Sequence, residues 1–393
     1  MESPKENCSG SSCSAGRTAG VRSRIVKEGH VLSVAVLLVE RGQDLVVGEV
    51  LKEMENRTDE LSILIVTWNG DEFLRPCLES IAAACGQLPE IVVVDNAASV
   101  ETRRIVAGFP NCKYVVAERN LGFAGGNNLG LAHCTRPYVL LLNNDTIVHA
   151  DSFTPLMRYL DERLQVGVVQ GTLNLSRCGN RLDSCGTMLT SIGQLSLLHQ
   201  WEPTAATELR ARSVFSVKGA LFMFRRELTD EIPCGLFHDS FFNNYEETDF
   251  CHRVWLMGKE VHFVPTPPVD HLYNATIGKL PRRDVRAREL ANAMFSLHSL
   301  LGAYGRWTLL PKFYAYRFLM FLRCVCTFNG KDAKVYLDAV RMTWRRRAEI
   351  AAVRREVQAK RVISDRELFR RVMFRPPLSY WWNAAKVWLS GKF

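Results

Sequence analysis

Two acidic residues stand where apolar runs end, and they are the first candidates for chemistry. The segment LLLNNDT (140–146) ends its run in Asp145, and the segment EIVVVDN (90–96) ends its run in Asp95. If both runs are strands of one parallel sheet, the two carboxylates face the same crevice, where α/β proteins bind ligands. Each acid also has a structural alternative, because Asp and Asn cap helices and end strands.

A glycine-rich segment, NLGFAGGNNLG (120–130), lies between the two acids. Glycine allows the backbone to approach a ligand closely, and a turn into a helix is a geometry suited to nucleotides. The spacing matches neither the dinucleotide fingerprint nor the phosphate loop. The segment therefore predicts a turn followed by a helix to about Cys134, without identifying the ligand.

The elements that must position these residues become regular from Leu61 onward. Uniformly apolar runs separated by helical spacing are typical of strands in the middle of a parallel sheet covered on both faces. The predicted fold class is α/β, doubly wound and mostly parallel. The predicted strands are 61–69, 90–96, 112–117, 138–145, 166–171, 214–226 with a break at Lys218 and Gly219, and 259–265.

Composition and charge bound the remaining alternatives. The chain has 393 residues with 47% hydrophobic content, and its 12 cysteines show no zinc spacing, which favours a reducing compartment. From 281 to 393 there are 24 Lys and Arg against 8 Asp and Glu, or +16; the remainder has 26 against 33, or −7, giving +9 in total.

Residues 1 to about 25 are expected to be disordered. The apolar run at 31–39 is too short to span a bilayer, so secretion is not indicated and a cytoplasmic location is expected.

Together the motifs resemble a known family. TWNG, VVVDN, NLGFAGGNN, LLLNNDT, VKGALFMFRRE, YEETDFCHRV and the later His271 occur in the order and approximate spacing of glycosyltransferase family 2, most closely its rhamnosyl- and galactofuranosyl-transferase-like branch. The resemblance covers about residues 60 to 275. It implies a GT-A fold, a Rossmann-like mostly parallel sheet, in three parts: an N-terminal extension (1–60), a catalytic domain (61–280) and a helical, basic, aromatic-rich C-terminal region (281–393).

The resemblance implies a donor site for a nucleotide-sugar, with UDP- and dTDP-sugars favoured. Asp145 matches the last acid of the family's DxD motif and would hold Mg²⁺ or Mn²⁺ against the diphosphate, with help from His271. Asn143 stands where that motif has its first acid, and an amide donates less charge. The residues expected to orient the nucleotide are Thr67, Asn69, Asp95, Asn127, Asn128 and Asn143.

The resemblance also implies a catalytic base. Glu247 in YEETD occupies the position of the family's base, which is usually Asp. An inverting transfer needs a carboxylate that takes the proton of the acceptor hydroxyl as its oxygen attacks the sugar. Glu246 and Asp249 are interpreted as supports that contact the helix start, Arg253 or the acceptor. Three acids in a first helical turn would otherwise be unremarkable, since the helix dipole favours them.

The basic C-terminal region has three interpretations. Aromatic and cationic residues are interleaved through it, which suits an amphipathic helix in the interface of an anionic membrane. A basic helical cap over the catalytic domain, or a homo-oligomer interface, fits nearly as well. Nucleic-acid binding is disfavoured because no motif accompanies the charge.

Two functions of different class follow. The first is an inverting, metal-dependent glycosyltransferase that acts on a glycan or a polyprenyl-linked acceptor, peripherally at the cytoplasmic face of a membrane. The second is a non-catalytic GT-A scaffold that binds nucleotide, membrane or a partner enzyme, and the departures at Asn143 and Glu247 motivate it. A hydride-transfer enzyme is disfavoured by the missing GxGxxG fingerprint.

Overall fold

The computed structural model describes residues 57–85, 88–272 and 281–374. The predicted N-terminal extension, up to residue 56, and the tail from 375 lie outside the described residues. Within these ranges the strands are β1 (Leu61–Thr67), β2 (Glu90–Asp95), β3 (Cys112–Val116), β4 (Tyr138–Leu142), β5 (Thr146–Ile147), β6 (Val166–Gln170), β7 (Leu173–Leu175), β8 (Arg181–Leu182), β9 (Thr187–Thr190), β10 (Leu195–Leu197), β11 (Arg212–Ser213), β12 (Leu221–Arg225), β13 (Glu260–Phe263), β14 (Val269–His271) and β15 (Met373–Phe374). The α-helices are α1 (Asp71–Ala84), α2 (Val100–Val106), α3 (Gly122–Leu131), α4 (Thr154–Glu162), α5 (Leu228–Glu231), α6 (Glu246–Leu256), α7 (Arg282–Leu300), α8 (Ala303–Thr308), α9 (Leu310–Cys326), α10 (Gly330–Arg345), α11 (Arg347–Lys360) and α12 (Asp365–Val372).

A large sheet contains eight of these strands in the order β11-β13-β6-β12-β4-β1-β2-β3. Strand β1 pairs in parallel with β2 and β4, β2 with β3, and β6 with β13. Strand β12 runs antiparallel between β4 and β6. The predicted α/β fold with a mostly parallel sheet is confirmed.

Strand β1 shows why this sheet lies at the centre. Its residues are buried on both faces: Ile63 and Ile65 belong to one apolar cluster, and Leu64 belongs to the other. Because successive side chains of a strand point to opposite faces, a continuous apolar run is stable only with helices on both sides. The apolar run at 61–67 therefore predicts a strand in the middle of the sheet, and β1 lies there.

The predicted strand over 214–226, with its break at Lys218 and Gly219, is confirmed only after the break. Leu221–Arg225 forms β12, whereas 214–217 belongs to none of the strands: the N–H of Val214 donates to the Val261 carbonyl at 2.8 Å, and the N–H of Phe215 donates to the Thr187 carbonyl at 2.7 Å. The backbone N–H of Lys218 donates to the side-chain oxygen Oε1 of Gln170 at 2.8 Å. The Gln170 side chain thus replaces a neighbouring strand's carbonyl as the hydrogen-bond acceptor for Lys218, and the segment around Lys218 is a loop.

The glycine-rich segment is not the turn that the sequence predicts; it lies inside helix α3. A Cβ atom on Gly126 would come within 2.7 Å of Val66 Cγ1, and one on Gly130 would overlap Leu64 and come within 2.7 Å of Val94. These two glycines let α3 lie close against β1 and β2. Among the glycines of α3, only Gly122, at φ +70°, has the left-handed backbone conformation that favours glycine, and it is the first residue of the helix.

The C-terminal helices share a hydrophobic core with the sheet. Phe295 and Leu297 on α7 and Phe313 on α9 are almost fully buried in the same cluster as Phe224 of β12. The guanidinium of Arg346 lies over the Phe295 ring, 4.2 Å from its centroid. Part of the basic region is therefore a cap on the sheet, while the predicted three-part division of the chain remains a prediction. Among the described residues, no helix has both the length and the apolarity needed to cross a bilayer.

Candidate active site

A small sheet, in the order β5-β14-β7-β8, brings three ionisable side chains together. Asp145 lies directly before β5, His271 ends β14, and Asp183 follows β8. His271 pairs with Thr146 in antiparallel register, and the N–H of Leu272 donates to the carbonyl of Asp145 at 2.9 Å. The backbone of this sheet thus places His271 beside Asp145, as the sequence predicts, and adds Asp183.

The imidazole of His271 lies between the two carboxylates. Its Nε2 is 3.5 Å from Asp145 Oδ1, and its Nδ1 is 2.9 Å from Asp183 Oδ2. All three side chains are buried, and Asp183 is fully so. Burial alone lowers the pKa of His271, but the hydrogen bonds with Asp145 and Asp183 outweigh it and raise the pKa to about 9. Burial raises the pKa of Asp183, yet the His271 hydrogen bond and the charge of Lys218 keep that pKa below its ordinary value.

The donor atoms of Asp145 and His271 fit one divalent cation. Neighbouring ligands of an ion with bonds of about 2.1 Å lie about 3 Å apart, close to the separation of Asp145 Oδ1 and His271 Nε2. Within the described part of the chain, no three His, Cys, Asp or Glu side chains are grouped as a metal cage. Mg²⁺ commonly takes one or two protein ligands and completes its shell with phosphate oxygens and water. The pair therefore suits a cation that is shared with a diphosphate.

Lys218 extends this cluster toward the rest of the crevice. Its Nζ lies 3.6 Å from Asp183 Oδ1, and its side chain is about a quarter exposed. The fully buried Gln170, at the end of β6, accepts from the Lys218 N–H and donates to the Ser184 carbonyl at 2.6 Å. One amide side chain thus holds the segments that carry Lys218 and Asp183 next to each other.

The residues after Lys218 connect the cluster to helix α6. The carbonyl of Ala220 accepts from the N–H of Asn143 at 3.1 Å, so this loop is fastened to the segment that carries Asp145. A Cβ atom on Gly219 would lie 3.9 Å from Glu247 Cδ, so the opposite side of the loop faces Glu247. The loop 218–220 therefore contacts both the Asp145 segment and Glu247.

Glu247 lies in the first turn of α6 and is partly exposed to the crevice. Burial raises the pKa of Glu247 above its ordinary value of about 4.5, although the charge of Lys218 and the N–H of Gly219 oppose the rise. Its Oε2 is buried and, among the described residues, has no hydrogen-bond partner. Glu247 is thus a carboxylate whose affinity for a proton is raised.

The neighbouring acids of α6 have different surroundings. Glu246 is buried, and burial together with the charge of Glu247 raises its pKa well above the ordinary value. Asp249 accepts from Nε of Arg253 at 2.8 Å and lies 3.3 Å from Nε2 of His238. Burial raises the pKa of Asp249, but the charge of Arg253 and the nearby His238 outweigh burial and bring that pKa below its ordinary value. Asp249 is therefore a partner of Arg253, which is one of the contacts predicted for it.

The ends of β1, β2 and β4 meet at one edge, as the sequence predicts. Thr67 is in register with Asp95, and the Thr67 hydroxyl accepts from the amide of Asn144 at 2.9 Å. Asp95 accepts from the N–H groups of Ala97 and Ser99 at 2.8 Å each, and from the Tyr114 hydroxyl at 2.7 Å. The alternative that Asp95 caps the next helix is wrong, because the N-cap of α2 is Ser99, whose hydroxyl accepts from the N–H of Thr102 at 3.2 Å. Asp95 instead holds the turn between β2 and that helix, and nucleotide recognition by Asp95 remains a prediction.

The three remaining predicted nucleotide residues are spread along two segments. Asn69 follows β1, is exposed and has φ 51°. Asn127 donates to the Phe123 carbonyl within its own helix at 2.8 Å. The amide of Asn128 donates to the Phe237 carbonyl at 2.8 Å and to Asp239 at 2.7 Å. The Asn127 and Asn128 amides thus have structural partners, and their contact with a nucleotide remains a prediction.

Two residues of this site are missing from the sequence-based set. Asp183 lies in a stretch, 172–212, where the periodicity is weak and no motif is recognisable. Lys218 is visible only as an interruption of an apolar run. Neither position has a signal that could select it. Asp183 is placed by the pairing of β7 with β8 and with β14, and Lys218 is placed by the hydrogen bond of its N–H to the Gln170 side chain.

The chain is similar to known proteins in sequence and in fold. Residues 62–232 match the family model for Glycosyl transferase family 2. The low-salt glycan biosynthesis hexosyltransferase Agl10 of Haloferax volcanii is 28% identical over 211 residues, which cover 52% of this chain and 64% of Agl10. The crystal structure of GalNAc-T7 with UDP, GalNAc and Mn²⁺ superposes with a TM-score of 0.52 at 17% identity, over 65% of this chain and 50% of that one.

A second structural neighbour extends over more of the chain. The structure of S. aureus TarS 1–349 in complex with UDP-GlcNAc has a TM-score of 0.50 at 14% identity and covers 76% of this chain and 88% of that one. At these identities the structural likeness concerns the fold. Together with the sequence match, it shows that residues 62–232 are similar to glycosyl transferase family 2 and that the fold is GT-A-like.

Proposed function

We propose that this protein is an inverting, metal-dependent glycosyltransferase that moves a hexosyl unit from a nucleotide-sugar to a hydroxyl group of a glycan or a polyprenyl-linked acceptor. One observation carries the proposal: the loop 218–220 is bonded to the segment of Asp145 through the N–H of Asn143 and also borders the carboxylate of Glu247, while Lys218 lies 3.6 Å from Asp183, the partner of His271. A transfer reaction needs a site for the leaving diphosphate and a base for the acceptor, and this loop borders both.

On the donor side, Asp145 and His271 would hold Mg²⁺ or Mn²⁺, and Asp183 would orient the His271 ring. The bound cation would neutralise the diphosphate that leaves. The proposed contacts to the nucleotide are Thr67, Asn69, Asp95, Asn127, Asn128 and Asn143. The UDP in the structures of GalNAc-T7 and TarS supports a uridine nucleotide, and dTDP shares its pyrimidine base with one added methyl group.

On the acceptor side, the carboxylate of Glu247 would accept the proton of the attacking hydroxyl. Burial raises its affinity for that proton, and the nearby Lys218 keeps the carboxylate form accessible before the reaction. An attack from the face opposite the diphosphate inverts the anomeric configuration. In this mechanism Glu247 acts only as a base and forms no bond to the sugar. The acceptor oxygen therefore displaces the diphosphate in a single step.

Two finer assignments are part of this proposal. The order of motifs favours the rhamnosyl- and galactofuranosyl-transferase-like branch, whereas the similarity to Agl10 supports hexosyl transfer in general. Action at the cytoplasmic face of a membrane follows from the reducing-compartment chemistry of the cysteines and from the basic C-terminal region.

A donor screen tests the proposal. The full chain is incubated with UDP-, dTDP- and GDP-sugars, with Mg²⁺, Mn²⁺ or EDTA, and the release of nucleoside diphosphate is measured. We expect metal-dependent release from at least one donor and a loss of about 10²-fold or more in Glu247→Gln and Asp145→Asn, the range for removal of a general base or a key electrostatic contact. The anomer of the product, determined by NMR, tests inversion.

A matched control and a binding measurement separate this proposal from the scaffold alternative. Glu227→Gln, at the exposed N-terminal boundary of α5, removes an acid outside the proposed site and should leave turnover unchanged. Calorimetry with UDP, dTDP and GDP, with and without Mn²⁺, measures binding without turnover. Metal-dependent nucleotide binding combined with no turnover on any donor would favour the scaffold and reject the enzyme.

A further inference from the structure

The outer face of helix α9 carries an apolar stripe that the fold does not cover. Its side chains are exposed at Phe318 (59%), Leu319 (57%), Leu322 (39%) and Val325 (49%), and Phe328 just beyond the helix is 96% exposed. These five residues are called the outer stripe below. Leu319, Leu322 and Val325 follow at steps of three, and Phe318 lies four positions before Leu322, so the four helical residues lie on one side.

The opposite side of α9 explains why the stripe is not required for packing. Phe313 is fully buried in the main core, and its ring lies 5.0 Å below the guanidinium of Arg317. Phe321 contacts the ring of Tyr336 on α10 at 6.3 Å between centroids. Because α9 already has an anchored inner side, its outer apolar side needs another explanation.

The charge around the stripe indicates what it binds. From 290 to 331 the chain has no acidic residue and five cations, at 306, 312, 317, 323 and 331. Lys312 and Arg323 lie along one edge of the stripe at helical spacing, and Lys331 follows Phe328 at the start of α10. Aromatic and aliphatic side chains bordered by cations, without acids, are the composition of helices that lie in the interface of anionic membranes.

We propose that the outer stripe of α9 is a docking surface for an anionic lipid bilayer. The apolar side chains would enter the boundary between head groups and acyl chains, and Lys312 and Lys331 would contact lipid phosphates. A second copy of the chain is a poorer occupant, since a symmetric contact would bring these cations against the same cations of the partner. This surface is separate from the proposed chemistry, so it stands whether or not sugar transfer is found.

Vesicle co-sedimentation of the full chain tests the proposal. One set of vesicles is phosphatidylcholine, and the other is an equal mixture of phosphatidylcholine and phosphatidylglycerol. We expect binding to the mixed vesicles that weakens as salt increases, and little binding to phosphatidylcholine alone. Phe318→Ser combined with Leu322→Ser should reduce the partition coefficient by about tenfold or more. Lys312→Gln combined with Lys331→Gln should reduce it most at low salt.

The control is Val100→Ser combined with Leu164→Ser, two residues that are 84% and 71% exposed but lie on α2 and after α4. This variant should bind vesicles like the parent. Phe328→Ser lies outside the helix and removes no described core contact, so it tests the stripe even if the double variant folds poorly. Melting temperatures and circular dichroism confirm folding.

Three results would overturn the proposal. The first is equal binding to neutral and anionic vesicles, and the second is unchanged binding by both stripe variants. The third is a parent protein that is a dimer by light scattering and becomes a monomer on substitution of the stripe. Nucleoside diphosphate release in the absence of vesicles should be the same for all these variants, so a failure here is distinguishable from a failure of the proposed enzyme activity.

Discussion

Asp183 Oδ2 lies 2.9 Å from Nδ1 of His271, on the opposite side of the imidazole from Asp145. A carboxylate in this position orients a histidine and fixes which ring nitrogen faces a metal. Asp183 is fully buried, and Lys218 lies near its other oxygen. Successive contacts run from Asp145 to His271, from His271 to Asp183 and from Asp183 to Lys218. They connect the proposed cation site with the loop beside Glu247.

The first prediction concerns Asp183. In Asp183→Asn the side chain keeps its size but loses its charge, so the His271 ring is held less firmly. We expect the affinity for Mn²⁺ in the presence of UDP to fall by about 10- to 100-fold, the usual effect of removing such a partner. Calorimetric titration with Mn²⁺ measures it.

The matched control is Asp270→Asn. Asp270 precedes His271 on β14, but its carboxylate pairs with His149 at 3.0 Å, toward the surface. We expect Mn²⁺ affinity within about twofold of the parent, because surface pairs contribute little. Equal losses in both variants would show that general disruption of β14, rather than orientation of His271, is responsible.

The second prediction concerns pH dependence. Glu247 must be unprotonated to accept a proton, so kcat/KM should fall as pH decreases through a pKa above the ordinary value of about 4.5. The charge of Lys218 favours the carboxylate and lowers that pKa. In Lys218→Met the acid limb of the profile should therefore move to higher pH. The pH dependence of kcat/KM with a saturating metal concentration measures the shift.

Lys259→Met is the control for this shift. Lys259 Nζ lies 3.7 Å from Glu231 at the surface and does not influence the pKa of Glu247. Its acid limb should coincide with that of the parent. An unchanged limb in Lys218→Met would contradict the assignment of Glu247 as the base that Lys218 faces.

The third prediction concerns stability. Arg253 is fully buried, donates to Asp249 at 2.8 Å, and donates to three backbone carbonyls within 233–236. Arg253→Met would leave the Asp249 charge and these carbonyls without their principal donor. We expect the free energy of unfolding to fall by about 3–5 kcal/mol, the cost of breaking a buried ion pair on one side. Urea denaturation measures it.

The pH dependence of unfolding checks the same pair. The pKa of Asp249 in the folded protein lies below its ordinary value, so its contribution to stability is complete above the unfolded pKa of about 3.9 and is lost as pH falls. The parent should lose this contribution on acidification, and Arg253→Met should lose less. Arg210→Met, which breaks an exposed pair with Glu208, should change stability by less than about 1 kcal/mol.

The fourth prediction concerns the glycines of α3. In Gly130→Ala the new methyl group would overlap Leu64 and come within 2.7 Å of Val94, and neither strand residue can move freely. We expect a destabilisation of about 1–3 kcal/mol from overpacking. Gly330→Ala, at the start of α10 where a Cβ meets nothing within 4 Å, should be neutral or stabilising by up to about 1 kcal/mol. Thermal unfolding of both variants decides between these effects.

The sequence alone determined the parallel part of the fold. Apolar runs in 61–67, 90–95 and 138–142 are buried on both faces, and that pattern has few solutions other than the middle of a covered sheet. The same logic placed Asp95 and Asp145 at one edge, because parallel strands end together.

Only the tertiary structure decided how the candidate site is completed. Strands β5, β7, β8 and β14 have two or three residues each, too few for a periodic pattern, and their pairing is non-local. Asp183 enters the site through that pairing, and Lys218 enters it through the hydrogen bond of its N–H to the Gln170 side chain. The glycines of α3 suggest a ligand-binding turn from sequence alone. Glycine lets the backbone come close to a ligand or to a sheet, and the sequence does not show which of the two lies opposite. That distinction depends on which atoms lie opposite each Cα, and only the folded chain brings those atoms together.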